Sequence, residues 1–194
     1  YVQNIYMLFL ELGYKVKHCL LKCEQMFIPQ KRHRVFFIAT RLNVDLESIN
    51  MSFLYRPILF EEIKTKEGSP IKISDNLMTL INCAKYGDRN LENACRKLRG
   101  KSSFFNYCFV YDNQVAPTIT AHCNNIRWSD KKFLSKEDMI SISTFPQDYN
   151  FLSDNPDNIA YVCGMSVPPV MIKRVAERLK NYLKSEDKDE RNNS

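Results

Sequence analysis

The segment Pro29-Gln30-Lys31-Arg32-His33-Arg34-Val35-Phe36-Phe37-Ile38-Ala39 joins a basic turn to a short apolar run. The run is rich in β-forming residues without alternation, which predicts a strand buried on both faces, as in a parallel or mixed α/β sheet. Strand periodicity would place Gln30, Arg32 and Arg34 on one face at the start of that strand. Two guanidinium groups held there could bind a phosphate or a carbonyl oxygen. A solvated turn that caps the strand is the alternative, and periodicity alone favours it.

Two later segments also carry polar groups that could contact a ligand. In Pro117-Thr118-Ile119-Thr120-Ala121, both threonine hydroxyls would share one face, where they could contact phosphates or simply face water. In Gly164-Met165-Ser166-Val167-Pro168-Pro169, a glycine turn leading into a helix could expose backbone N–H groups to a ligand. On their own, the threonine segment is best explained as an ordinary strand, and the glycine segment equally well as a tight strand-to-helix connection.

The remaining pattern predicts α/β structure at both ends of the chain and a basic, β-leaning insert between them. At 194 residues, the chain is expected to form one domain, or one domain with a small second lobe. Ser135 and Asp138 have the spacing of a capping box, and Pro168 and Pro169 are placed to open a final helix. The other predicted elements are a buried helix over 1–12, a strand over 15–21, a helix over 75–84, and strands over 104–111 and 115–121.

Composition narrows the class of protein. Hydrophobic residues make up 44% and charged residues 26%, which excludes disorder throughout the chain. The formal net charge of +6 favours a polyanionic partner. The seven cysteines are odd in number and contain no Cys-x-x-Cys pair, which favours a reduced cytosolic protein over a disulfide scaffold or a structural zinc site. No apolar run approaches the roughly 18 residues of a membrane span, so no membrane partner is expected.

Taken in order, these segments resemble the C-terminal half of the DNA cytosine-5 methyltransferases. The family's Pro-Gln-x-Arg-x-Arg segment is matched by residues 29–34, and its Pro-Thr-Ile-Thr-Ala-like stretch by residues 117–121. Its Leu-Ser/Thr-x-x-Glu and Phe-Pro-x-x-Tyr/Phe-x-Phe patterns are similar to residues 134–138 and 145–151. Its Gly-Asn-Ala/Ser-Val-Pro-Pro segment is similar to residues 164–169. Motifs matched in the family's order argue against a chance resemblance.

The resemblance implies an α/β fold, the C-terminal part of an S-adenosylmethionine-dependent methyltransferase (Rossmann-like) core with an inserted small β-rich target-recognition lobe. The boundaries it implies place the end of the catalytic core at 1–42, the lobe at 43–128 and a hinge at 129–158. A terminal core strand and helix would occupy 159–184, followed by a disordered tail over 185–194. Double-stranded DNA would lie in the cleft between core and lobe.

The resemblance also implies roles for individual residues. Arg34, and less directly Arg32, would position the flipped cytosine or a phosphate, and Gln30 would orient nearby groups. Thr118 and Thr120 would contact the DNA backbone. The methionine end of S-adenosyl-L-methionine would be lined by Gly164, Met165, Ser166 and Val167. Basic candidates for DNA contacts in the lobe are Arg89, Arg96, Lys97, Arg99 and Lys101, most of them for phosphate.

Three family motifs are missing from the chain. It has no Phe-x-Gly-x-Gly cofactor turn, no Pro-Cys nucleophile and no Glu-Asn-Val tripeptide, and Met165 stands where the family usually has Asn. The resemblance implies a bacterial, cytoplasmic methyltransferase of the restriction–modification type. Because these motifs are missing, we expect its activity to need an N-terminal half or subunit. A non-catalytic DNA-binding remnant is the alternative. A basic α/β protein unrelated to DNA is possible only if the motif order is coincidence.

Overall fold

The computed structural model describes the backbone of residues 1–192 and the side chains of residues 1–185. These residues form helices and strands in mixed order. The helices are α1 (Val2–Glu11), α2 (Asp75–Cys83), α3 (Glu92–Arg99), α4 (Lys136–Ile142), α5 (Pro156–Met165) and α6 (Pro169–Asn192). The strands are β1 (Lys15–Lys22), β2 (Gln30–Lys31), β3 (His33–Thr40), β4 (Phe109–Val110), β5 (Ala116–Pro117) and β6 (Ile126–Arg127).

The longest strands, β1 and β3, form an antiparallel pair. Their register runs from Lys15 opposite Thr40 to Lys22 opposite His33. The predicted strand over 35–39 is therefore present, but the prediction that both its faces are buried is wrong. Within the described residues this sheet has only two strands, so none of the eight β3 residues is buried: six are partly covered, and His33 and Val35 are exposed.

The other strands are two-residue parallel pairs, β2 with β5 and β4 with β6. The predicted strands over 104–111 and 115–121 are mostly irregular, and Phe104 takes a positive φ of 62°. Such short ladders lack the neighbouring strands that would extend them. The region predicted as a β-rich lobe, 43–128, instead contains α2, α3 and only these short strands, so the β-rich description is wrong.

Three hydrophobic clusters form the core. The first packs β1 and residues 46–53 against α6, through Leu21, Cys23, Met26, Ile28, Leu46, Ile49, Met51, Phe53, Met171 and Val175. The second packs α4 and α5 against the chain around β4 and β5, through Phe60, Val110, Ala116, Ile119, Leu134, Met139, Ile142, Ile159, Ala160 and Cys163. The third surrounds α2 and α3, through Ile73, Leu77, Leu80, Ile81, Leu91, Cys95, Phe109, Tyr111 and Ile126.

These clusters do not follow the predicted domain boundaries. The predicted hinge, 129–158, supplies Leu134, Met139 and Ile142 to the same cluster as lobe residues on β4 and β5. Residues 46–53, predicted for the lobe, pack on α6 instead. The segment 129–158 is thus part of a packed core, because burial of apolar side chains from both of its sides stabilises it there.

The N-terminus of α4 confirms the predicted capping box. The Ser135 hydroxyl accepts a hydrogen bond from the Asp138 amide at 3.0 Å, and the Asp138 carboxylate accepts one from the Ser135 amide at 3.1 Å. Aspartate therefore replaces the usual Glu or Gln without loss of the reciprocal bonds.

The two C-terminal helices differ from expectation in three places. Residues 156–165 form α5, not a strand, because Asn155 caps its N-terminus and Pro156 occupies the first turn. Gly164 lies inside α5, so no glycine turn precedes α6, although α6 does begin at Pro169 as predicted. The α6 backbone continues to Asn192. The prediction of disorder from residue 185 is therefore wrong up to Asn192, since this stretch is rich in helix-forming Glu, Lys and Arg; residues 193–194 lie outside the described part.

Residues 156–185 are long and apolar enough to meet a membrane-span criterion based on length and composition. The stretch is two helices, α5 and α6, separated at residues 166–168, and 33% of its most apolar window is buried within the protein. Core helices pass the same test, so this stretch carries little weight as a membrane span.

Helix α1 is present as predicted, but the prediction that it is buried is wrong. None of its residues is buried in the chain. Its exposed apolar side chains are Val2, Met7, Leu8 and Leu10, with Leu12 just beyond its end. Nothing in the described residues covers this apolar surface, which is adjacent to β1.

Candidate functional site

Arg32 brings the three polar segments of the sequence together. Its side chain is 3% exposed. Nη1 donates to the carbonyl oxygen of Ile119 at 2.9 Å, and Nη2 donates to those of Gly164 at 2.7 Å and Ser166 at 2.9 Å. The segments 29–34, 117–121 and 164–169 therefore meet at one guanidinium group.

This geometry corrects both interpretations of Arg32. It is not part of a solvated turn, and its terminal nitrogens are occupied by backbone carbonyls, so they are not free to hold a substrate. Burial, and then the positive charge of Arg34, lower the pKa of Arg32 from its ordinary value. An arginine nevertheless stays protonated, and a charged donor makes the stronger kind of hydrogen bond to carbonyl oxygens.

Arg34 differs from Arg32 in its surroundings. Its side chain is half-buried, and the hydrogen bond it makes within the described residues is from Nη1 to the His33 carbonyl oxygen at 2.8 Å. The remaining guanidinium donors are therefore available to another group. Arg34 is the one of the two arginines whose geometry suits the predicted positioning role.

Gln30, the third polar residue of this segment, is completely buried. Its Nε2 lies 3.4 Å from the Ile142 carbonyl oxygen and 3.5 Å from the Ser143 hydroxyl, at the end of α4. Its Oε1 has no hydrogen-bond partner in the described residues. Gln30 therefore contacts the end of α4 and is out of contact with solvent, and its predicted orienting role stays a prediction.

Gly164 is required for close backbone packing. A Cβ atom at this position would lie 2.2 Å from the carbonyl carbon of Thr120 and 2.3 Å from the amide nitrogen of Ala121. Helix α5 therefore lies directly against the segment 117–121. The predicted cofactor-lining role of Gly164 is not what this geometry shows, because its open side is filled by the chain itself.

We expect the substitution Gly164→Ala to destabilise the protein, although Gly→Ala within a helix ordinarily stabilises it by about 0.5–1 kcal/mol. The added methyl group must displace backbone, so the free energy of unfolding should fall by about 1–3 kcal/mol. Urea denaturation measures the change. Tyr161→Ala, at an exposed position of the same helix, serves as the control, and a stabilised Gly164→Ala protein would contradict the packing described here.

Of the three residues that follow Gly164, Met165 is exposed, whereas Ser166 and Val167 make contacts within the chain. Met165 is 64% exposed. The Ser166 hydroxyl donates to the Val162 carbonyl oxygen at 2.6 Å, and Val167 packs against the first hydrophobic cluster. Of the four residues predicted to line a cofactor, Met165 alone presents most of its side chain to the outside.

Thr118, Thr120 and Arg89, three predicted DNA contacts, line one cleft with a volume of ≈ 500 Å³. The Thr118 hydroxyl donates to the Lys31 carbonyl oxygen, and the Thr120 hydroxyl donates to that of His122 at 3.0 Å. Both hydroxyl protons are therefore used within the chain. The other residues around the cleft are Lys31, Gly87, Phe105, Asn106, Cys108, Phe109, Tyr111, Gln114, Val115, Pro117 and Asn125.

The remaining basic candidates lie apart from that cleft, on and after α3. Arg96, Lys97 and Arg99 occupy its last turn, where positive charge is favourable to the helix dipole. Arg96 pairs with Glu92 at 2.8 Å, and the Arg99 guanidinium lies 5.5 Å from the centre of the Phe104 ring. Gly100 ends the helix with a positive φ of 67°, and Lys101 follows it. These side chains form a basic surface that is separate from the cleft.

The sequence patterns missed a buried ion pair and a buried amide. Arg127 and Asp138 are 2% and 0% exposed, and the Arg127 Nη1 lies 3.3 Å from the Asp138 Oδ2. Asn125 is 5% exposed, and its Nδ2 has no hydrogen-bond partner in the described residues. In the sequence, the one signal for the ion pair or the amide was the placement of two polar residues, Asn125 and Arg127, on either side of the apolar Ile126.

Five of the seven thiols of the chain are poorly suited to act as nucleophiles. Burial raises the pKa of Cys123 to about 12 and that of Cys23 to about 11. Burial also raises the pKa of Cys19, Cys108 and Cys163. A nucleophilic cysteine needs a lowered pKa, because the thiolate is the reactive form. This agrees with the absence of a Pro-Cys motif.

Comparisons with known proteins agree on one family. The model of the family described as C-5 cytosine-specific DNA methylase matches residues 1–181. The protein M.MJ0563P of Methanocaldococcus jannaschii is 24% identical over 178 residues, which are 91% of this chain and 55% of the relative. The type II methyltransferase M.BbvI of Brevibacillus brevis is 23% identical over 196 residues, 90% of this chain and 51% of the relative. The chain thus spans about half the length of the curated relatives it matches.

A solved structure shows the same fold. The methyltransferase EhMeth of Entamoeba histolytica superimposes with a TM-score of 0.67 at 12% sequence identity, over 94% of this chain and 58% of that one.

Proposed function

The chain belongs to the C-5 cytosine-specific DNA methylase family, and from this we propose that it is the C-terminal, DNA-contacting part of a DNA cytosine-5 methyltransferase. One observation carries the proposal: Arg32 joins three segments, 29–34, 117–121 and 164–169, that each resemble a motif of the family. The type II description of M.BbvI supports a restriction–modification setting. The length of the relatives supports a second, N-terminal half, in the same protein or in a partner subunit.

The proposed substrate is a cytosine turned out of double-stranded DNA. In the full enzyme a cysteine thiolate would add to cytosine C6, which makes C5 nucleophilic. After C5 takes the methyl group, loss of the C5 proton to a base expels the thiolate from C6 and restores the C5–C6 double bond. S-adenosylmethionine, when bound, supplies the methyl group. The N-terminal half must provide the thiolate, since the chain lacks the Pro-Cys motif and burial raises the pKa of most of its thiols.

The residues near Met165 fit one edge of a cofactor site. Met165 is exposed at the break between α5 and α6, where an apolar, polarisable side chain can contact a ligand. Ser166 and Val167 are held in place by their own contacts, and Arg32 fixes the carbonyl of Ser166. Met165 would therefore contact the cofactor, and the N-terminal half would supply the rest of the site.

Arg34 is the residue we propose to act at the reacting base. Within the described residues its donors are largely free, and it lies two residues after the fixed Arg32, at the start of β3. A guanidinium so placed can donate to the cytosine O2 or to a nearby carboxylate and stabilise charge as the thiolate adds. Arg32 would serve as a positioning residue for this segment.

The N-terminal half would pack on α1 and the β1–β3 pair. The apolar residues of α1 are exposed, as are Leu20 of β1 and Val35 of β3. Within the described residues each strand of this sheet has one partner, so each has a free edge. An exposed apolar face beside unpaired strand edges is the surface expected where a core continues into another segment.

A complementation assay tests the proposal. The chain is mixed with a second chain that supplies the Pro-Cys and Glu-Asn-Val motifs, and transfer of radiolabelled methyl from S-adenosylmethionine to duplex DNA is measured. We expect methylation from the pair and none from either chain alone. Failure of every such partner to restore methylation would overturn the proposal.

In the same assay, we expect Arg34→Ala to lower the methylation rate by about 100-fold to 1,000-fold, because it removes a donor that stabilises charge in the transition state. Lys180→Ala, at an exposed position on α6 away from the β1–β3 pair, is the control and should methylate normally. An Arg34→Ala pair with normal activity would remove Arg34 from the site.

A DNA-binding remnant without catalysis is the second candidate function, favoured by the missing nucleophile. It predicts duplex binding by the chain with no methylation in any pairing. The two candidates therefore separate in the complementation assay, while both require binding to DNA.

A further inference from the structure

The cleft beside Thr118 and Thr120 has the chemistry of a base-reading site. Its volume of ≈ 500 Å³ lies within the range of about 300–1,000 Å³ of small-ligand pockets. Lys31 and Arg89 provide positive charge, and no carboxylate lines the cleft within the described residues. An anionic ligand with a planar, hydrogen-bonding edge suits such a lining.

Asn125 is the polar group in this cleft that lacks a partner. Its side chain is 5% exposed and lines the cleft, and its Nδ2 has no acceptor in the described residues. A buried amide N–H without an acceptor destabilises the folded chain, and a ligand that supplies the missing acceptor would recover that loss. Because no hydrogen bond holds the amide, rotation about χ2 can turn it toward such a ligand.

Phe105 provides an apolar surface at the same cleft. It is 61% exposed, at the tip of a turn that Asn90 fixes by donating from Nδ2 to the Phe105 carbonyl oxygen at 3.0 Å. A large exposed aromatic ring on a fixed turn, beside two cations, is suited to stack on a base. The Phe105 ring is complementary to the apolar face of a nucleobase, and the Asn125 amide is complementary to its hydrogen-bonding edge.

We propose that Asn125 is a specificity-determining residue that reads one base of the DNA, with Phe105 as a stacking surface. The inference rests on the proposed function and adds to it a residue that determines sequence preference. Among base edges in the major groove, that of adenine presents the donor and acceptor that match an asparagine amide. Adenine is therefore the base that we expect Asn125 to select.

The test measures which DNA sequences the 194-residue chain selects from a random pool. Duplexes with a randomised centre are incubated with the protein, and the bound fraction is sequenced. We expect the unaltered chain to enrich an adenine at one position, and Asn125→Ala and Asn125→Asp to lose that preference by about tenfold. Asn124→Ala, the neighbouring asparagine that does not line the cleft, should keep it.

A second variant tests the stacking surface independently. Phe105→Ala should weaken binding to all duplexes by about tenfold without changing the preferred sequence. Phe105 is exposed and the Asn125 amide lacks a hydrogen bond. The melting temperatures of Phe105→Ala and Asn125→Ala should therefore lie within a few degrees of that of the unaltered chain, which thermal denaturation checks.

The outcomes distinguish failure of the specificity role of Asn125 from failure of the proposed function. If Asn125→Ala keeps the adenine preference, or if the unaltered chain binds duplexes without any preference, the specificity role is overturned and the proposed function stands. If no duplex binds to the unaltered chain, either alone or mixed with the partner that supplies the missing motifs, the specificity role and the proposed function are both overturned.

Discussion

The substitution Arg32→Ala should lower the free energy of unfolding by about 3–5 kcal/mol. It removes the donor that satisfies the carbonyl oxygens of Ile119, Gly164 and Ser166. A buried polar group left without a partner costs about 1–3 kcal/mol, and the three carbonyls are close enough for one entering water to offset part of the loss. The truncation also leaves a cavity where the guanidinium was, which adds to the cost.

Arg32→Lys separates charge from geometry. A lysine ammonium keeps the positive charge but lacks the planar guanidinium. In Arg32, one terminal nitrogen of that group donates to Ile119 and the other donates to Gly164 and Ser166. We expect it to recover less than half of the stability lost in Arg32→Ala. Urea denaturation measures both variants, with Lys22→Ala as an exposed control. If Arg32→Ala costs less than about 1 kcal/mol, the guanidinium does not hold the three segments together.

Local signals of the sequence predicted the elements that local interactions stabilise. The capping box of Ser135 and Asp138, the start of α6 at Pro169 and the helix over 75–83 all match the structure. In each case the deciding contacts lie within a few residues of one another. The same reasoning missed α3, whose helical face is formed by Leu91, Ala94 and Cys95 among many charged residues.

Features that depend on distant contacts were predicted poorly. Periodicity placed Arg32 in a solvated turn because its partners lie 87 to 134 residues away in the chain. The strand predicted over 115–121 is reduced to Ala116 and Pro117, which pair with residues 30–31 alone. Gly164 was assigned to a turn because sequence cannot show that Thr120 and Ala121 lie against it.

For the candidate site, the order of the motifs carried more information than any single residue. It correctly grouped segments that the structure brings together, and it indicated the family. It could not distinguish Arg32, which is occupied by backbone carbonyls, from Arg34, which keeps free donors. Asn125 had no sequence signal, because the lack of a hydrogen-bond partner is a property of the folded chain.

Asp138→Ala is expected to have an effect of the same size as Arg32→Ala, about 3–5 kcal/mol, because it leaves the buried Arg127 with only the partly exposed Asp130, whose Oδ2 lies 3.4 Å from the Arg127 Nε. The Asp138 carboxylate also accepts from the Thr65 amide at 2.8 Å, the Thr65 hydroxyl at 2.9 Å and the Ser135 amide at 3.1 Å. Its removal therefore leaves several buried donors unsatisfied.

Asp154→Ala is the matched control for that substitution. Asp154 is exposed and pairs with Lys136 at 3.1 Å, so it has the same chemistry at the surface. Loss of an exposed pair should change stability by less than about 1 kcal/mol. Similar losses from Asp138→Ala and Asp154→Ala in urea denaturation would contradict the importance of burial.

A double-mutant cycle then identifies the origin of the effect. Arg127→Met alone should also destabilise, since Asp138 loses its charged partner, but the double variant removes both buried charges and should lose about 2 kcal/mol less than the sum of the single variants. Additive losses would show that the pair does not interact. Because Arg127 lies in β6, two residues from Asn125, and Asp138 in α4, this pair fixes one side of the cleft against the core. Loss of the pair should therefore also reduce duplex binding by the chain, at temperatures where the single variants remain folded.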